Sequence, residues 1–124
     1  MIRGLKIVMI IFGAVSVLSG LAHIFIPDQL IAEACSAALL AMAMVGVSFV
    51  AGGVYLIIAG TRDIIRHIYW VQFAILWAIL SVAGGLYSVM RGYVTFEQSM
   101  MPIIIDAVFA VALLALYPWR AAKQ

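Results

Sequence analysis

A single cysteine, Cys35, means that the chain can close no internal disulfide and carries no Cys-x-x-Cys pair. Membrane enzymes that oxidise thiols through paired cysteines are excluded. Cys35 is also a poor lipoprotein site, because Glu33 interrupts the run of small residues expected before a lipid-modified cysteine. A small residue at the membrane interface is the plainer reading. Histidine is almost as scarce. The two present, His23 and His67, fall towards opposite membrane faces, so one chain cannot offer paired axial ligands to a haem. No His-x-x-x-His, Glu-x-x-His or acidic cluster suggests a metal, and neither metal nor other cofactor is expected. No serine stands in a nucleophile elbow, and no glycine-rich phosphate loop precedes a helix.

Charge is the next scarcity. Only 10% of the 124 residues are charged, while 68% are hydrophobic. Soluble domains are nearer a quarter charged and half apolar, and a chain this small could not hide so much apolar surface in one core. Lipid is its natural solvent. The net charge of +2 calls for no nucleic-acid partner, because the basic residues are spaced as flanks rather than gathered in a patch.

What is present is four apolar runs, of about 5–26, 37–58, 68–90 and 99–117, each near the roughly 20 residues that cross a bilayer as a helix. Pro27 should end the first, Gly60 the second, and Pro118 the fourth. The first run has a signal-peptide look, with Arg3 and Lys6 ahead of it and Gly20-Leu21-Ala22 within it, but it is long for one, and a retained helix is expected. Thr61 is a plausible N-cap for the third run, with Asp63 in its first turn. Thr95-Phe-Glu-Gln98 reads as a capping box for the fourth; alternatively Ser99 is the cap, which puts Pro102 in the first turn. Tyr69, Trp70, Tyr117 and Trp119 gather near one boundary as an aromatic belt.

The charges order these runs. Arg3, Lys6, Arg62, Arg66, Arg120 and Lys123 fall on one side and Arg91 alone on the other. The positive-inside rule then places both termini and the 61–67 loop in the cytoplasm, and the 27–36 and 92–99 connectors outside. Short loops make successive helices antiparallel. The expected fold is an all-α, up-down-up-down transmembrane four-helix bundle, a single domain in a bacterial inner membrane. Small multidrug exporters of similar length rely on an acid in the first span, absent here, and the one-sided charge argues against dual topology.

Small residues mark packing faces: Ser16/Gly20, Ser48/Gly52, Ser81/Gly85 and Gly84/Ser88. They serve contacts within the bundle, a homo-oligomer or partner interface, or a groove. Asp106 is the acid inside an apolar span. An exposed Asp at a helix centre costs on the order of 2.5–3.5 kcal/mol on insertion scales, so it should face protein. Helical spacing aligns Gly13, Ser16, Gly20 and His23, and separately Trp77, Ser81, Gly84, Ser88 and Arg91. His23, Ser88, Arg91 and Asp106 are therefore expected to converge one to two turns below the outer surface, with Tyr87 and Tyr93 as a rim. They form a structural clasp, with Asp106 paired to Arg91 or His23, or a ligand pocket, or a proton-coupled step. His67 is expected to be solvated or to face headgroups, and Gln72 to bond a neighbouring helix.

From about Ser36 to Arg120 the chain resembles small bacterial four-helix membrane proteins close to the DoxX-like group. The carrying features are the apolar second span, the turn Arg62-Asp63-Ile-Ile-Arg66-His67, Gly84-Gly85, the acid Asp106, and Tyr117-Pro118-Trp119-Arg120. That group often has an arginine soon after the paired glycines; here Leu86 and Tyr87 follow, and the nearest arginine is Arg91. The resemblance implies the fold, the inner membrane and association with redox or stress complexes, and carries over no catalytic residue. The leading expectation is a non-catalytic accessory or partner-binding subunit. The rivals are a small enzyme or carrier holding a quinone or isoprenoid in the outward pocket, and a proton-coupled transporter.

Overall fold

The computed structural model describes residues 2–25, 36–92 and 94–119. The expected Pro27 stop, the connector with Asp28, Glu33 and Cys35, the rim residue Tyr93 and the basic tail Arg120 and Lys123 lie outside the described residues. Those residues form helices α1 (Ile2–Phe25), α2 (Ser36–Thr61), α3 (Ile68–Met90) and α4 (Phe96–Leu116), with no strand among them. Each helix is long and apolar enough to cross a membrane. Their outer faces carry Leu18, Phe25, Met44, Met90, Val108 and Val111, all more than half exposed. In water that surface would be untenable; in lipid it is the ordinary outside of a bundle.

Glycine joins α1 to α2. A Cβ on Gly13 would stand 2.5 Å from the Gly53 carbonyl oxygen, and one on Gly53 equally close to the Gly13 oxygen, at 2.5 Å. Gly20 and Gly46 mirror each other in the same way, again at 2.5 Å. At Gly60 the Lys6 oxygen would be met at 3.0 Å. The contacts pair 6 with 60, 13 with 53 and 20 with 46, so these two helices run antiparallel and meet every seven residues. Backbones can approach this closely only where no side chain intervenes.

Side chains make the other seams. Phe12 stacks on Phe109 of α4 with centroids 4.5 Å apart. Gly85 of α3 lies against Ile103 of α4, and Gln72 Nε2 donates to Tyr117 Oη at 2.7 Å. α2 and α3 meet through rings, Tyr55 stacked on Trp70 at 4.9 Å and Phe49 tilted on Trp77 at 5.4 Å. The packed core sits at the end bearing the 61–67 loop: Leu5, Met9, Leu56, Ile64, Val71 and Leu113 are fully buried there. Towards the other end the helices enclose a space rather than a core.

Several local expectations change. Gly60 does not stop α2, which continues to Thr61; the glycine is needed for the seam, since a Cβ would lie 2.7 Å from Ile10 Cγ1. Thr61 does not cap α3. It ends α2, and its Oγ1 donates to Ile58 O at 2.8 Å. His67 occupies the N-cap position of α3, without a side-chain cap bond. Asp63 belongs to the loop, where Oδ1 accepts from Ile65 N at 3.2 Å and Oδ2 pairs with Arg66 Nε at 3.6 Å. His67 is partly exposed, its Nδ1 donating to Asp63 O at 2.8 Å. α4 starts at Phe96, directly after Thr95, so Pro102 lies inside the helix and not in its first turn. Tyr117 leaves the belt. Only 6% exposed, it turns inward to take the Gln72 bond, because that bond satisfies both polar groups at the packed end. Ser48 is exposed and donates to Met44 O at 3.1 Å, so of its pair only Gly52 faces a helix, beneath the Trp77 ring.

Candidate functional site

The space at the open end is a cavity of about 800 Å³. Its floor is aromatic. Phe12 and Phe49 flank Trp77, with centroids 5.9 and 5.4 Å from it. Phe12 comes from α1, Phe49 from α2 and Trp77 from α3, so the floor depends on three helices meeting at one level. Above it, α1 contributes Ser16, Ser19 and His23; α3 contributes Ser81, Gly84 and Ser88; α4 contributes Asp106 and Pro102. Gly84 leaves part of this wall open, since a Cβ there would meet nothing within 4 Å.

Three of the four residues expected to converge, His23, Ser88 and Asp106, line this one cavity; Arg91 does not. Arg91 is exposed at the C-cap of α3, its backbone N–H bonded to Tyr87 O at 2.9 Å. Tyr87 is exposed too and does not line the space. The three lining residues are not at one depth. Because α4 begins at Phe96, Asp106 lies ten residues into it, about 15 Å at roughly 1.5 Å per residue. The pairings of Phe12 with Phe109 and Gly85 with Ile103 set it level with about residues 15 and 82. Its neighbours in depth are therefore Ser16 and Ser81, which helical spacing aligns with His23 and Ser88 but which were not among the four residues expected to converge. On the same registers His23 and Ser88 stand roughly 9–12 Å nearer the open end. The polar groups form a ladder, not a cluster.

Each rung has a defined state. His23 Nδ1 lies 2.7 Å from Ser19 O. A carbonyl can only accept, so Nδ1 carries the proton, and a neutral imidazole keeps its lone pair on Nε2. The ring is further held edge-on by Phe49 at 5.5 Å. Ser88 Oγ donates to Gly84 O at 2.9 Å, which spends its hydrogen and leaves its oxygen lone pairs. Among the described residues, the side chains of Ser16, Ser81 and Asp106 have no hydrogen bond, and no ion pair reaches Asp106. Among the described residues the expected clasp of Asp106 with Arg91 or His23 is thus not formed. Among the described residues no group of three or more His, Cys, Asp or Glu could hold a metal.

A smaller apolar crevice of about 290 Å³ opens between α2 and α3, lined by Ser48, Phe49, Phe73, Leu76, Trp77 and Leu80. Phe49 and Trp77 line both spaces, so these two rings divide the cavity from the crevice. The signal that sequence reasoning missed lies in the seam beneath: Gly13 and Gly20, and Gly46, Gly53 and Gly60, recur at intervals of seven.

No protein-family model matches this chain, and no curated protein or solved structure matches it.

Proposed function

We propose that this chain is an inner-membrane protein, an up-down-up-down bundle with cytoplasmic termini, that holds a small amphipathic molecule in an outward-facing cavity. The observation that carries this is the cavity itself. It has the size of small-molecule sites, roughly 300–1,000 Å³, with apolar walls and a few polar groups. A bundle needing only internal packing would have filled it, because voids forfeit contact energy. The carboxylate, imidazole and hydroxyls are spread along the depth, which suits holding a molecule lengthwise. That arrangement moves the accessory-subunit reading to second place. A subunit of a DoxX-like membrane complex remains compatible with it, as such a subunit can carry a bound lipophile.

Wild-type protein in detergent should carry a small amphipathic molecule detectable by native mass spectrometry. Gly84→Trp, which pushes a ring into the open wall, should lose it while melting at a similar temperature. An identical set of bound small molecules in both proteins would sink the reading.

Topology is checked separately. The basic residues Arg3, Lys6, Arg62 and Arg66 lie at the packed end, which supports a cytoplasmic packed end and an external mouth. Reporter fusions at Gln124 and at Glu97 should signal opposite sides, the first cytoplasmic. A periplasmic signal at Gln124 would turn the cavity inward.

A further inference from the structure

We propose that the molecule held in the cavity is a lipophilic organic cation, with Asp106 as its counter-ion. This rests on the binding function proposed above and names the ligand class for the same site.

The charge inventory points this way first. Among the described residues Asp106 is the one acid that lines the cavity, and no Lys or Arg lines it. Among the described residues nothing pairs with its carboxylate. An ionised carboxylate in a low-dielectric wall is costly unless an opposite charge faces it. A cationic ligand supplies that charge.

Hydrogen-bonding capacity points the same way. Ser88 has spent its proton on Gly84 O, and His23 Nδ1 has spent its own on Ser19 O. What these groups turn to a ligand is lone pairs. With the carboxylate, the ladder is rich in acceptors. A quinone needs donors for its carbonyls, and an isoprenoid phosphate needs cations; among the described residues this wall offers the former through Ser16, Ser19 and Ser81 and no Lys or Arg for the latter. Arg91, the basic residue nearest in sequence to the lining of α3, does not line the space.

The floor completes the match. On the registers above, Phe12 and Trp77 stand within roughly two helix turns below Asp106 and Phe49 about level with it, so aromatic surface faces the space beside the carboxylate. The negative faces of such rings attract a bulky, weakly hydrated cation, and they reject an anion of the same shape. The cavity volume of about 800 Å³ suits a bulky ligand rather than an inorganic ion.

The test uses two probes of nearly identical size and opposite charge, tetraphenylphosphonium and tetraphenylborate, with a short-chain quinone as a neutral third. Equilibrium dialysis against the full chain in nanodiscs, with empty nanodiscs as background, gives the saturable component of each. Tetraphenylphosphonium should bind at least about tenfold more tightly than tetraphenylborate, and Asp106→Asn should weaken it at least about tenfold. Glu97→Gln, an exposed acid outside the cavity, should change neither. The contrast between the two ions in wild type needs no variant, so the test stands even if Asp106→Asn folds poorly. Equal or tighter binding of the borate, or unaltered cation binding in a folded Asp106→Asn protein, overturns the proposal. Saturable quinone binding without cation binding also overturns it but leaves the cavity's binding function standing. Failure of all three probes to bind removes both.

Discussion

Gly53→Ala should destabilise the protein by about 1–3 kcal/mol, although alanine is the better helix former by roughly 1 kcal/mol. The added methyl would sit 2.5 Å from the Gly13 carbonyl oxygen, 2.8 Å from Val17 Cγ2 and 2.9 Å from Val17 N. Two of those three atoms are backbone, which cannot swing aside, so α1 and α2 must separate along the seam. The matching control is Gly84→Ala, where the methyl meets nothing within 4 Å and only the helix-propensity gain remains. Gly52→Ala should fall between them, because its obstacle is the Trp77 ring, at 2.7 Å, and a ring can shift. Thermal melting in one detergent orders the three. Indistinguishable melting of the Gly53 and Gly84 variants would mean that the glycine seam does not hold these helices together.

That seam also shows where sequence reading stops. The four spans were legible because a run of about 20 apolar residues is a local property that needs no knowledge of its partner. Their ends shifted by only a few residues, as when α4 began at Phe96 instead of Ser99. Partners were not legible. Small residues four apart, such as Ser16/Gly20, caught the eye, while the actual contact recurs every seven residues along Gly13–Gly20 and Gly46–Gly60. A seven-residue repeat is what a left-handed helix pair demands, but here it lies within a chain already rich in small residues. Gly60 was misread because glycine both stops helices and permits close approach; only the partner, Lys6 and Ile10, decides which. The same holds for Tyr117, whose place in a belt or in the core turned on Gln72.

The candidate site was legible in part for the same reason. Helical spacing turned His23 and Ser88 towards the lining, and burial cost argued that Asp106 faces protein. Depth was not readable. It required knowing that Gly85 stands opposite Ile103, which sets Asp106 beside Ser81 and not beside Ser88. Arg91 looked one turn from Ser88 on a helical wheel, yet it stands exposed at the C-cap of α3, outside the lining.

Asp106→Leu should therefore raise stability in ligand-stripped protein. A clasp requires the reverse, since removing one member of a buried pair strands the other at about 1–3 kcal/mol. Among the described residues Asp106 has no partner to strand. What the substitution removes is the cost of a carboxyl in an apolar span, and what it adds is apolar surface against Ile105 and the aromatic floor, in a cavity with room for it. Water entering from the open end offsets part of that gain, so an increase of about 1–2 kcal/mol is expected, a rise of several degrees in melting temperature. Ligand must be stripped first, because a bound molecule stabilises wild type by mass action and would hide the difference. The same variant should lose the co-purifying molecule in native mass spectrometry. Gained stability with lost binding is the pattern of a residue kept for function against the interest of the fold. A lower melting temperature for stripped Asp106→Leu would restore the clasp and remove the carboxylate from the list of groups free to meet a ligand.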